Sequence, residues 1–412
     1  LFAKLRHGPW RATFGLQSRD KSVATAAYGT APGVPGTRYE DYYGWGELAY
    51  EGEWQGDWRT QARASLSAVG FEGRYRYAAP AGSGWLDNID RASARWLSLD
   101  ARAHWRGWLN HQWLFGAELR HLPKVAQSNF NVEPPVVNLD IAHASTQLGL
   151  YLQDHWRLDE RTSLTLGLRA DRARDFDVQW SPRLSFVHRP DADSALKLMI
   201  GRAFRVPNQY ERFYGDDTLQ LPRPQPRPEH IQTIELAWEQ LLAPGLRASV
   251  AAYRNQFGSL IEERVTSGLL QLVNGPRAHI TGVDFDIEQQ LRSGWQWRTS
   301  VSLLDARGAG GRDRSVTRWL AKGHAFGPLA PQWSGGLQWQ AAASRENTRG
   351  AVPSYLTLDL ALHWKPLPQQ QLSLLVANLF DRRSWDLASS EDVVSRVPRT
   401  RRTLALEWRG SF

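Results

Sequence analysis

Apolar and polar residues take turns along most of this sequence, in segments of about ten residues. In SYLTLDLALHW, Leu356, Leu358, Leu360, Leu362 and Trp364 fall on one side, and Tyr355, Thr357, Asp359, Ala361 and His363 on the other. TGVDFDIEQQ sets Val283, Phe285 and Ile287 against Asp284, Asp286 and Glu288; WQWRTSVSLL sets Trp295, Trp297, Val301 and Leu303 against Gln296, Arg298, Ser300 and Ser302. TSLTLGLRAD opposes Leu164, Leu166 and Leu168 to Thr165, Gly167 and Arg169, and QTIELAWEQ opposes Ile234, Leu236 and Trp238 to Glu235 and Glu239. The last segment, RTLALEWRGSF, alternates Leu404, Leu406, Trp408, Gly410 and Phe412 with Thr403, Ala405, Glu407, Arg409 and Ser411. A strand sends successive side chains to opposite faces, so each segment is a strand with one apolar and one polar face. Roughly 18 or 19 such strands are predicted, each long enough to cross a bilayer when tilted. No apolar run reaches the roughly 18 residues of a transmembrane helix. The chain is hydrophilic on average, as it must be when half of every strand faces a polar lumen.

Connection lengths alternate too. Short turns are predicted at HGP (7–9), QGD (55–57), RG (106–107), DE (159–160), APG (243–245) and RSG (292–294). Long polar loops are predicted at 20–38, 78–91, 122–143, 205–229, 306–330 and 381–400. Short turns at one rim and long loops at the other mark an outer-membrane barrel; a soluble sandwich has no reason to segregate them. The 20 Trp fit this reading. Trp10, Trp54, Trp58, Trp105, Trp108, Trp238, Trp295 and Trp364 lie near short turns, where an apolar ring with one N–H donor suits the headgroup level and forms an aromatic girdle. One segment resists: 341–353 should hold an ascending strand but shows no alternation.

Several stretches resemble the TonB-dependent outer-membrane receptors. VANLFDRRSW (376–385) followed by a last strand ending in Phe412 is similar to their carboxy-terminal signature. KLMIGRAFRVPNQYERFYG (197–215) resembles the strand that enters their large apical loop; AAYRNQFGSLIEE and NGPRAHITGVDFDIE resemble a later strand pair, and ATAAYGTAPG an early surface loop. The resemblance implies an all-β transmembrane antiparallel barrel of about 22 strands around a plugged lumen. It also implies import of a scarce solute, most readily a ferric siderophore or similar chelate, across the bacterial outer membrane. The energy would come from TonB with ExbB and ExbD, contacted through an N-terminal part that this sequence lacks. Leu404, Leu406, Trp408 and Phe412 resemble the tag read by the outer-membrane assembly machinery. The opening LFAKLRHGPW has neither initiator Met nor signal peptide and reads as strand interior, so 1–412 is expected to be a barrel portion without its plug and first strands. Its first and last strands both descend toward the short turns, which predicts a gap or a poorly bonded seam between them.

The residues mark no catalytic constellation. His104, His111, His121, His230, His279 and His324 lack metal-site spacing, and there is no Cys and no phosphate-binding loop. No metal, no cofactor and no enzymatic activity are expected; a lipid-hydrolysing barrel would depend on a single Ser or His. The net charge of +8, mostly Arg, suits an anionic ligand or the phosphates of lipopolysaccharide and membrane lipid, and no nucleic-acid partner is expected. Rows such as Arg169 with Asp171 and Asp284 with Asp286 read as a transport path or, more often for such rows, as groups that solvate the inner wall and hydrogen-bond a plug. Ligand contact is expected on apical loops. Arg205, Asn208, Tyr210, Arg212, Phe213 and Tyr214 combine aromatic faces with cations that suit a flat catecholate or macrocycle, or else pack the loop; Phe130, flanked by Asn129 and Asn131, is a second candidate. The alternative function is a passive porin, with fewer strands and no separate plug.

Overall fold

The computed structural model describes residues 1–411 apart from 24–25, 54–55, 80–83, 216–219, 223–224 and 389–391. Where the sequence alternates, the backbone is extended. The chain opens with β1 (Phe2–His7), β2 (Trp10–Ser22), β3 (Arg38–Glu53), β4 (Trp58–Ala78), β5 (Trp85–Trp105), β6 (His111–Asn131), β7 (Val136–Arg157), β8 (Thr162–Ala173), β9 (Gln179–His188) and β10 (Ser194–Arg205). After the short helix α1 (Gln209–Phe213) come β11 (Gln220–Leu221), β12 (Glu229–Ala243), β13 (Leu246–Gly258), β14 (Ile261–Thr266), β15 (Leu269–Asn274), β16 (Ala278–Gln290), β17 (Gln296–Gly308) and β18 (Gly311–Arg312). The remainder is β19 (Trp319–Ala330), β20 (Trp333–Ala342), β21 (Arg345–Asn347), β22 (Gly350–Val352), β23 (Tyr355–Leu367), β24 (Gln370–Ala377), β25 (Trp385–Leu387), β26 (Arg396–Pro398) and β27 (Thr403–Gly410). One sheet of 20 strands forms the wall; leaving out the two-residue β18, it has 19 wall strands among the described residues, each antiparallel to its neighbour.

Among the described residues β1 pairs only with β2, and β27 only with β24. Both run from the long-loop rim to the short-turn rim, so a bond ladder between them would be parallel. The expected seam is therefore present as an open edge.

Register separates the two faces. Leu48, Ala64, Leu99, Leu119 and Leu148 align across β3 to β7, and Leu166, Leu184, Ile200 and Ile234 align across β8, β9, β10 and β12; Leu48, Leu99, Leu148, Leu166, Ile200 and Ile234 are exposed in this apolar band. Leu404, Leu406 and Trp408 lie on this band and are exposed; Trp54 and Phe412 fall outside the described residues. At the short-turn rim the indoles of Trp58 and Trp105 stack at 5.8 Å, those of Trp333 and Trp364 at 5.7 Å, and Trp108 stacks near Trp113 at 6.4 Å. Trp238 faces outward on β12, and Trp295 lies over Gly327. These rings gather at the short-turn rim, while Trp180 and Trp319 lie at the upper ends of the descending β9 and β19, a second group that turn proximity did not reveal.

The other face carries rows of charge, several of them paired. Arg63 and Arg102 both donate to Asp100 (3.1 and 2.8 Å), Arg169 donates to Glu118 and Asp171 (2.7 Å each), and Arg298 donates to Asp286 (2.9 Å). Tyr151 lies across Gly116, where a Cβ would sit 1.9 Å from its ring, and the Arg169 guanidinium covers Tyr151 at 5.3 Å. Only glycine permits that approach.

Three loop expectations are corrected. β4 and β5 extend through most of 78–91, β6 and β7 through most of 122–143, and β19 through 319–330. The added stretches of β4–β7 are polar because they stand above the lipid, where backbone pairing continues without an apolar face, whereas β19 is itself a wall strand that descends to the short turn before Trp333. The ascending strand sought at 341–353 is β20, slightly earlier; 345–352 is the small hairpin β21–β22 on the apical rim.

Candidate functional site

The apical end is crowned by folded loops. The segment after β10 turns into α1 through a capping box: the Asn208 side chain accepts from the Glu211 N–H (2.9 Å), and the Glu211 carboxylate accepts from the Asn208 N–H (2.8 Å). Arg205 donates twice to Glu211 (2.8 Å each) and also to Glu229, so it ties the strand end to the helix and to β12. Arg212 is buried, with its guanidinium 5.0 Å from the Phe176 ring and 4.5 Å from Phe213, and donates to Asp175 (3.0 Å). Phe213 stacks on His143 at 3.7 Å. Arg205, Asn208, Arg212 and Phe213 thus fasten the loop to β7, to the turn after β8, and to β10 and β12.

Beside this packing lies an amide cluster. Asn88 donates to Asn129 (2.7 Å) and Asn131 (2.9 Å), Asn138 donates to Asn129 (2.8 Å), and Asn129 donates to the Tyr214 hydroxyl (3.1 Å). Tyr210 stands 4.8 Å from Tyr214, ring to ring. Asp90 shares the lumen-side row of β5 with Asn88 and sits opposite Asn129. It lies 15 residues up β5 from Trp105, well above the lipid. Burial pushes its carboxyl up to about 6, against hydrogen bonds to Asn129 and Tyr214 that favour the ionised form. Phe130 is not part of this group. Alternation puts it on the outer side, opposite Ile89, with the Arg91 guanidinium 5.2 Å over its ring.

Of the residues named from sequence, Tyr210 and Tyr214 stand beside the amide cluster, whose own members the sequence does not single out. Asn129 and Asn131 were noticed only as flanks of Phe130, and Asn88, Asp90 and Asn138 not at all. Their signal was the shared lumen parity of β5 and β6, visible only once the register is known. The hairpin β14–β15 was missed as well; its second strand pairs parallel with β11, Gln220 opposite Leu270, and braces the same apical loop.

A family model described as TonB dependent receptor-like, beta-barrel, matches residues 4–379. The chain belongs to this family. Its barrel is accordingly one of the bacterial outer membrane, crossed by strands. The chain is 22% identical over 289 residues to the Ferrienterobactin receptor of Escherichia coli (strain K12), covering 59% of this chain and 37% of that protein. The barrel superposes on a variant of the ferric enterobactin receptor PfeA from Pseudomonas aeruginosa with a TM-score of 0.80 at 16% identity, covering 100% of this chain and 69% of that one. The copper transporter OprC gives a TM-score of 0.77 at 16% identity, with 98% and 69% covered. At such identities the structural likeness speaks for the fold. The chain spans a little over a third of the length of the Escherichia coli receptor, 37%.

Proposed function

We propose that the protein carrying this barrel binds a ferric siderophore at its extracellular mouth and imports it with energy delivered by TonB, working with ExbB and ExbD. The observation that carries the reading is the family match over residues 4–379, joined to 22% identity with a receptor named for ferric enterobactin. Family membership sets aside the passive porin. The fold does not choose the cargo, since a copper transporter shares it. The apical chemistry supports a ligand rich in hydrogen-bonding oxygens: Tyr210 and Tyr214 offer ring faces beside the amides of Asn88, Asn129, Asn131 and Asn138. Arg212 and Phe213 act by holding that shelf in place. No catalytic step belongs to this reading, and β27 serves assembly.

The test is a titration of the purified full-length receptor with ferric catecholates, ferric hydroxamates, haem, cobalamin and copper, followed by uptake in cells with and without TonB. Saturable binding of one ferric chelate and loss of its uptake without TonB are expected. Binding of haem, cobalamin or copper alone, or uptake that persists without TonB, overturns the proposal.

A further inference from the structure

Two cations of the outer wall stand apart from the ion pairs that join cations elsewhere on the barrel. Lumen Arg63, Arg102, Arg169 and Arg298 each have a carboxylate partner. On the outer face Arg95 of β5 and Lys124 of β6 sit directly opposite each other, both exposed. Neither has a carboxylate within ion-pair distance among the described residues. Like charges opposed across a ladder weaken it unless something neutralises them. The nearest outward carboxylate on β4, Glu72, accepts from Arg91 at 2.8 Å.

A bulge creates the pair. Leu97 faces His121 and Arg95 faces Lys124, so β6 spends one residue more than β5 over this step. Without that extra residue Lys124 would point to the lumen; the bulge turns it outward. His121 joins from one step below, its Nδ1 held by the Thr146 hydroxyl at 2.9 Å. Beneath the three lies an apolar groove of about 510 Å³ lined by Phe14, Leu16, Leu66 and Leu97, with Arg95 and His121 at its edge. The height is telling. Arg95 is ten residues up β5 from the stacked Trp105. With strand tilt that is about 25 Å, the thickness of a barrel's apolar band. The cations therefore stand at the headgroups of the outer leaflet, over a slot for hydrocarbon.

We propose that Arg95, Lys124 and His121 bind the phosphate of a phosphorylated, multiply acylated glycolipid of the outer leaflet, with an acyl chain in the groove below. The inference is independent of the imported ligand. It is tested by purifying the full-length receptor from native membranes in mild detergent and measuring retained glycolipid by native mass spectrometry. The double variant Arg95→Gln/Lys124→Gln should retain less by at least about tenfold, the loss of two charge-assisted contacts. Arg91→Gln, whose cation is already paired, should retain the wild-type amount. Folding is followed by heat-modifiable mobility, and Lys124→Gln alone replaces the double variant if assembly fails. Delipidated receptor should then rebind the phosphorylated glycolipid and not its dephosphorylated form. Wild-type retention by the variants, or equal binding of the dephosphorylated glycolipid or of phosphatidylglycerol, overturns the proposal.

Discussion

Replacing Asp90 by Asn should tighten the apical loop at neutral pH. The folded carboxyl titrates near 6 against an ordinary value of 3.8. Burial raises it, so the protonated form is the one that suits the folded site. Loop docking is therefore fully stabilised below about pH 4 and loses that stabilisation as pH rises through about 6. A shift of about two units corresponds to about 3 kcal/mol at most, and partial solvent access trims this to about 2 kcal/mol. Asn keeps an oxygen to accept from Asn129 and the Tyr214 hydroxyl but carries no charge to desolvate. Native-state hydrogen exchange of the amides in 209–214, corrected for intrinsic rates, reads the docking directly. Wild-type protection should fall between pH 4.5 and 7, and Asp90→Asn should stay high and flat. A variant with the wild-type pH profile, or with weaker protection at pH 7, would refute the argument that burial of this carboxyl dominates.

Other expectations follow from the same structure. Asn208→Ala should cost about 1 kcal/mol of α1 stability, seen as faster exchange at Glu211, and Asn208→Asp should restore it. Leu406→Arg places a cation on the lipid face at a cost of about 2–4 kcal/mol near mid-bilayer and should reduce folding into vesicles, whereas Glu407→Gln on the lumen face should be tolerated. Cysteine at Arg314 should react with an impermeant reagent on intact cells, and cysteine at Arg292 should react only after the outer membrane is opened.

The wall was legible because its chemistry is periodic. A residue's place in SYLTLDLALHW or TLALEWRGSF decides its face, and no long-range information is needed. The height at which a strand stops was not legible. Once β4–β7 rise above the lipid they lose the apolar face, and polar strand and polar loop then look alike in composition. The site failed in the same way. NQYERFYG announced aromatics and cations, but not that Arg212 and Phe213 are occupied by Phe176 and His143. Nor could Phe130 be separated from Asn129 without the strand parity. Lys124 depends on a bulge of one residue, for which the local sequence, Leu122–Pro123, offers only a Pro as a hint.

The pairing of Arg63, Arg102, Arg169 and Arg298 with carboxylates has an electrical consequence. A wall of neighbouring opposite charges produces short-range dipoles whose fields cancel within a few ångströms, not a ring of one sign that would sort ions along the axis. Such a surface is made to be covered by polar groups that match it point by point. Stripped of whatever fills it, the barrel should conduct as a broad aqueous hole with weak preference between small cations and anions, and its single-channel selectivity should change little when any one of these pairs is replaced as a unit by neutral residues.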